Sequence, residues 1–333
     1  MQMNEPKTAK NNILAIIAGA VAALIMVSSY VVALSKFADD DIGDTSDLLS
    51  SEAENSEDIS GGVSQNYEES QTSEISQWGS DSGYYDELVM ENYPYTNASS
   101  FSGPLALVSA LNGAYPSVDE SKLANIAKKK TQGVYGLSNT SLTINEDAMQ
   151  DMDRFIVSFY EQVPKNGLIV DKGFVSSDGL VSSDASIDLC SGYSFKFSIY
   201  NSDYKFSSPE FAYLKEQSYK YGIIQRYPAD KDNYTGFEES STLYRYVGLA
   251  HSMYMNHYRH SLEEYIDKLR TQRVIEYKSD LELNTMYVIY YVPVDTAVET
   301  TYVPLPTNEN CTYTVSGDGG KGFIVTVKMP FQQ

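Results

Sequence analysis

Lysine and arginine are missing between Phe37 and Ser121, and that stretch holds 18 of the chain's 45 acidic residues. It accounts for most of the formal net charge of −21. Residues 122–333 are nearly balanced, with 21 basic and 26 acidic side chains. No basic groove or stripe exists anywhere in the chain, which excludes nucleic acid as a partner. Histidine is also scarce. All three (His251, His257 and His260) lie in "HSMYMNHYRH". At about 100° per helical residue only His257 and His260 share a face. Two imidazoles with no carboxylate or thiolate at helical spacing fall short of the three or four ligands zinc takes. The run therefore reads as solvated or half-buried histidines on a surface helix. With two cysteines the chain has at most one bridge, Cys190 to Cys311. Outside a membrane they pair or stay as two separate buried thiols, and spacing alone does not decide.

One long apolar run is present. Ile13–Leu34 is 22 residues without a charge, long enough to cross a bilayer and too long for the apolar part of a cleaved signal. Lys7 and Lys10 precede it and Asp39, Asp40 and Asp41 follow, so the short N-terminus is expected in the cytoplasm and the bulk of the chain outside. The alternative is a signal cleaved near Ala38. Residues 35–92 are acidic and poor in aliphatic side chains, and read as a disordered, self-repelling spacer. Trp78, the single tryptophan, falls within it.

From Tyr93 the composition becomes that of a folded domain. Ser117 with Glu120 suggests a capping box opening a short helix through Ile126, closed by Lys128, Lys129 and Lys130. Met149, Met152, Phe155, Ile156, Phe159 and Val163 form one helical stripe. "GLIVDKGFV" reads as a buried strand and "SIDLCSGYSFKFSIY" as one or two more. Ser208, Pro209 and Gly222 punctuate the next helix, and "GIIQRYP" reads as a strand. Ser261 and Glu264 cap "SLEEYIDKLR". After Arg270 the pattern turns to alternation in "RVIEY", "MYVIYYVP", "CTYTVSG" and "GFIVTVKMP". Residues 271–333 are therefore expected to form a small, separate β unit.

"YLKEQSYKYGIIQRYP", "TGF", "RYVGLAHSMYM" and "SLEEYI" closely resemble the C-terminal half of VanY-type D-alanyl-D-alanine carboxypeptidases. Those are zinc metallopeptidases of the LAS group that trim peptidoglycan stem peptides. The likeness runs from about Ser102 to Arg270, and "YTVSGDGGKGFIVTV" resembles the tail of some members. It implies an α+β fold with a mostly antiparallel central sheet flanked by helices. The expected organisation is a cytoplasmic N-terminus (1–12), a transmembrane anchor (13–34), a linker (35–92), a VanY-like domain (93–270) and the β appendage (271–333).

The resemblance breaks at the chemistry. The family's Glu-Pro-Trp-His stretch precedes the segment matching Tyr244–Gly248. Here Ser240 stands at the general-base position and Leu243 at a zinc-binding histidine. The family's Ser-x-His-x-x-Gly-x-Ala-x-Asp motif matches "GLVSSDASID". Asp188 keeps the carboxylate, Val181 replaces the histidine and Asp184 the glycine. The cleft arginine falls at Val175. Zinc supplies both the polarising charge and the activated water in such chemistry, and a carboxylate moves the proton. With these positions lost, the expectation is no catalytic residue, no bound zinc and no other cofactor. The chain would then be a membrane-anchored, non-catalytic relative that binds a peptidoglycan stem peptide or a cell-wall protein. The alternative is a divergent, active zinc D,D-carboxypeptidase.

Overall fold

The computed structural model describes residues 83–108, 118–176, 185–200 and 203–331. The expected anchor Ile13–Leu34, the spacer as far as residue 82, Trp78, Ser117, Val181 and Asp184 lie outside the described residues. Among the described residues no helix is long and apolar enough to cross a membrane.

The described chain opens with β1 (Met90–Thr96), then β2 (Leu123–Asn125), α1 (Ile126–Lys129), β3 (Gly136–Leu137), β4 (Thr143–Asn145) and α2 (Glu146–Gln162). The helix expected to run up to Ile126 is replaced by a 3-10 turn and a strand. Asp119 caps the turn by accepting from the Ser121 N–H, and Asn125 caps α1 by accepting from the Lys128 N–H. Antiparallel pairing of β2 with β4 overrides the weak local helical pattern. Lys128 and Lys129 do close the last turn of α1. In α2 the expected stripe is buried, from Met149 through Phe159.

β5 (Leu168–Lys172), β6 (Ser194–Ile199), α3 (Ala212–Gln217), β7 (Ile223–Tyr227), α4 (Asp232–Thr235) and β8 (Ser240–Tyr246) follow. They build a five-stranded sheet in the order β3-β5-β6-β8-β7, in which only the β3–β5 pair is parallel. This is the α+β arrangement the resemblance implied. Residues 185–191, expected as strand, form a 3-10 helix and leave β6 as the one strand of that segment. One sheet face packs on α2. Phe195, Phe197 and Tyr244 join Phe155 and Phe159 in a single apolar cluster. By alternation Leu243 and Arg245 therefore point to the other face. Gly222 ends the preceding 3-10 helix at φ 73°. A Cβ there would come within 3.0 Å of the Gly248 backbone, so glycine is needed both for the turn and for the close approach.

α5 (Leu249–Tyr258) and α6 (Leu262–Gln272) come next, the latter with the full Ser261–Glu264 capping box. The histidine run is not a surface feature throughout. α5 buries Ala250 through Met255, and His251 is only 4% exposed. α5 ends before His260, because Arg259 adopts φ 55°. His251 Nδ1 meets the Tyr265 hydroxyl at 2.7 Å and Nε2 meets Thr326 Oγ1 at 2.9 Å. The ring thus joins α5 to α6 and to the C-terminal sheet.

That sheet is built from β9 (Val274–Lys278), β10 (Thr285–Pro293), β12 (Thr312–Gly317) and β13 (Gly322–Pro330), in the order β12-β13-β10-β9. β11 (Thr300–Pro306) pairs instead with β1, in register Met90↔Pro306 to Thr96↔Thr300. Two features differ from the sequence expectation. Residues 84–92, assigned to the spacer, are part of the fold: Tyr84 and Leu88 pack against Val288, Val325 and Val327. The tail beyond Arg270 is β-rich but shares its core with the helices. Tyr265, Ile266 and Leu269 of α6 lie in one cluster with Ile275, Ile289 and Ile324. Arg270 itself is held by Asp318 at 2.8 Å. Alternation marks the strands correctly; it carries no information about what their buried face packs on.

Candidate functional site

Leu243, Val175 and Asp188, three of the positions singled out by sequence, lie on the sheet face opposite α2. Leu243, projecting from β8, is 2% exposed and packs with Leu189 and Tyr227. Val175, Ala185 and Phe237 pack against the same cluster. Ser240 opens β8 as the register partner of Tyr227. Its hydroxyl lies 3.4 Å from Thr242 Oγ1, and its carbonyl accepts from Gln225 Nε2 at 3.0 Å. Thus the cleft-arginine position, Val175, and one ligand-histidine position, Leu243, meet in space as hydrocarbon.

Asp188 is beside this cluster, one residue before Leu189, and is completely buried. Its Oδ1 accepts from Arg226 Nε at 2.7 Å and from Arg245 Nη1 at 2.9 Å. Its Oδ2 accepts from the Ser194 hydroxyl. Arg226 turns its other two nitrogens onto Glu263, at 2.6 and 3.1 Å, as a bidentate fork. Arg245 spends its remaining donors on the carbonyls of Pro104 and Ala106, at 3.0 and 2.7 Å. Two carboxylates and two guanidiniums balance, so the quartet is neutral and its hydrogen bonds offset the cost of taking charge out of water. Burial would raise the Asp188 pKa, but Arg226 and Arg245 outweigh it and hold the carboxyl below its usual range. Burial likewise works against the charge on Arg226, and Asp188 with Glu263 more than restores it.

The donors here do not suit zinc. Val175 and Leu243 offer no lone pair, and Asp188 already accepts three hydrogen bonds with two guanidiniums against it. A dication at the carboxylate would face both positive charges. Among the described residues no three of His, Cys, Asp and Glu gather in a metal-binding arrangement. Cys190 and Cys311 are separate free thiols. Burial, followed by the nearby Asp188 charge, raises Cys190 to about 11, so it stays protonated and inert.

Sequence reading singled out Asp188, Leu243 and Val175 without their spatial relation, and it missed Arg226 and Arg245. Their signal was available: each is a cation inside an apolar strand, in "IIQRY" and "LYRYV". A buried cation requires a buried anion.

The chain is 29% identical over 280 residues to a D-alanyl-D-alanine carboxypeptidase of Enterococcus faecium, covering 79% of this chain and 86% of the relative. Over most of its length it is therefore similar to VanY/VanX-type D-alanyl-D-alanine carboxypeptidases. A shorter match to a carboxypeptidase-family protein of Enterococcus gallinarum, the bifunctional D-Ala-D-Ala dipeptidase and carboxypeptidase VanXYC, is 44% identical over 54 residues. It spans 16% of this chain and 28% of that one. The fold is shared with the vancomycin-resistance D,D-dipeptidase VanXYg, solved with a D-Ala-D-Ala phosphinate analogue, at a TM-score of 0.58 and 20% identity. That match covers 72% of this chain and 99% of VanXYg. No family model matches this carboxypeptidase-like chain.

Proposed function

We propose that this protein is a non-catalytic D-alanyl-D-alanine carboxypeptidase-like protein of the cell wall. It is held at the membrane by Ile13–Leu34 with the folded part outside, and binds a peptidoglycan stem peptide or a cell-wall protein. The observation that carries this reading is the side-chain chemistry at the metal position. Leu243 and Val175 close an apolar cluster, while the one remaining carboxylate, Asp188, is saturated by Arg226, Arg245 and Ser194. Val175 and Leu243 bring no lone pair to a metal there, and the Asp188 carboxylate is already engaged, which supports the reading. The sequence likeness to an enzyme across 79% of the chain supports the peptide-related role and favours the second reading, an active enzyme with a rebuilt ligand set. Elemental analysis of the full-length protein, purified in detergent and dialysed, separates the two. The first reading expects far less than one zinc per chain, and stoichiometric zinc would contradict it.

A further inference from the structure

The first described residues, Gly83 through Val89, are fastened at both ends to the C-terminal β-rich part. The Tyr84 ring stacks on Phe331 with centroids 6.2 Å apart. Asn308 holds the other end, donating to the Glu87 carbonyl at 3.3 Å and accepting from the Val89 N–H at 2.8 Å. Directly beside Phe331 and Asn308 in the chain are residues that line a groove of about 360 Å³, among them Pro330, Met329, Cys311, Asn284 and Thr285. The Phe331 N–H donates to the Asn284 carbonyl at 2.8 Å, which fixes one rim of the groove next to the Tyr84 stack. Leu283 precedes that rim and is 96% exposed, and Leu281 in the same turn is 41% exposed. Leu283 thus stands in water beside a groove whose wall carries a thioether and a proline ring.

The sequence directly ahead of Gly83 is "EISQWGSDS". Between Glu68 and Gly83 the large apolar side chains are Ile75 and Trp78. We infer that Trp78 seats its indole in this groove, against Met329, Pro330 and Leu283, and straps the N-terminal segment to the sheet. The reach is sufficient, because the five residues from Trp78 to Gly83 span roughly 17 Å when extended. So short a tether holds the indole at an effective concentration on the order of millimolar, and a modest contact is then occupied. An indole buries a large apolar area and gains further from contact with a thioether. The charge fits as well. Lys278 holds its ammonium 4.3 Å over the Phe331 ring and makes no ion pair among the described residues. Asp81 lies three residues before Tyr84, which stacks on that same ring. Docking covers the Cys311 thiol and moves the start of the fold from Gly83 to Ile75. This inference is independent of the reading of the metal position.

The test uses the full-length protein in detergent, where Trp78 is the single tryptophan and its emission reads one site. Blue-shifted emission is expected, with acrylamide quenching at least about fivefold weaker than for free tryptophan. Leu283→Asp, a change at a side chain in solvent, should return both to the values of the free amino acid. Emission unmoved by Leu283→Asp would place the indole in the micelle and overturn the inference. Cys190 is 2% exposed, so thiol labelling of the native protein reports Cys311. Trp78→Ser should speed that labelling by about fivefold or more. Labelling that ignores Trp78→Ser would overturn the inference. So would protection of Trp78 that is lost on dilution, which would put the indole of a second copy in the groove.

Discussion

Arg226 Nε donates to Asp188 Oδ1 at 2.7 Å across 38 positions of sequence, and neither side chain has any solvent exposure. A buried contact of this kind has two consequences. It takes the lone pairs that a metal would need, and it makes the fold depend on the charge of Asp188.

Replacing Asp188 with asparagine is expected to destabilise the protein by about 3–5 kcal/mol, since Arg226 and Arg245 lose their shared anion while staying buried. The shift in urea midpoint measures it. The Asp188 pKa is lowered in the folded state, so its stabilisation is present above the unfolded value of about 4 and is lost as pH falls through the lower folded value. Asp188→Asn should remove that part of the acid unfolding.

His251 supplies a second, separable pH dependence. Burial pushes its pKa down to about 3, and the groups on either side of the ring are the hydroxyls of Tyr265 and Thr326. The unfolded chain takes up the proton below about pH 6.5 and the folded chain does not until about 3. Stability is therefore complete above pH 6.5 and falls toward pH 3 by up to about 1.4 kcal/mol per unit. Denaturant midpoints of wild type and His251→Gln across that range should differ in slope, the variant being flatter.

The β-rich tail should not separate from the rest. Tyr265, Ile266 and Leu269 share their cluster with Ile275, Ile289 and Ile324, and Asp318 grips Arg270 at 2.8 Å. After limited proteolysis in 271–279 the two pieces are expected to co-elute and to unfold in one transition. A core that keeps a cooperative transition after the tail is removed would contradict the shared cluster.

What was legible in the sequence follows from the range of the forces involved. The α2 stripe, the Ser261–Glu264 cap and the four alternating strands of the tail are set by neighbours within a few residues, and they stand where expected. β1 and β11 were not read from the sequence, since their pairing joins segments some 200 positions apart; each pairs on one edge only and so tolerates Pro94 and Pro304. His251 was misjudged as surface because its partners, Tyr265 and Thr326, lie 14 and 75 positions away. The same distance problem hid Arg226 and Arg245 from Asp188, whereas the family pattern singled out Asp188, Leu243 and Val175 one by one, without their spatial relation.

The proposed anchor has its own outcome. With Lys7 and Lys10 ahead of Ile13, protease added to intact protoplasts should remove the bulk of the chain. Full protection would reverse the topology.

The most direct test of the account is release of D-alanine from a stem pentapeptide by the full-length protein in detergent with zinc added in excess. With Leu243, Val175 and Ser240 where the chemistry requires donors, no release above the protein-free control is expected. Turnover that follows zinc loading at one ion per chain, and is abolished by Asp188→Ala in a protein that remains folded, would contradict the non-catalytic reading.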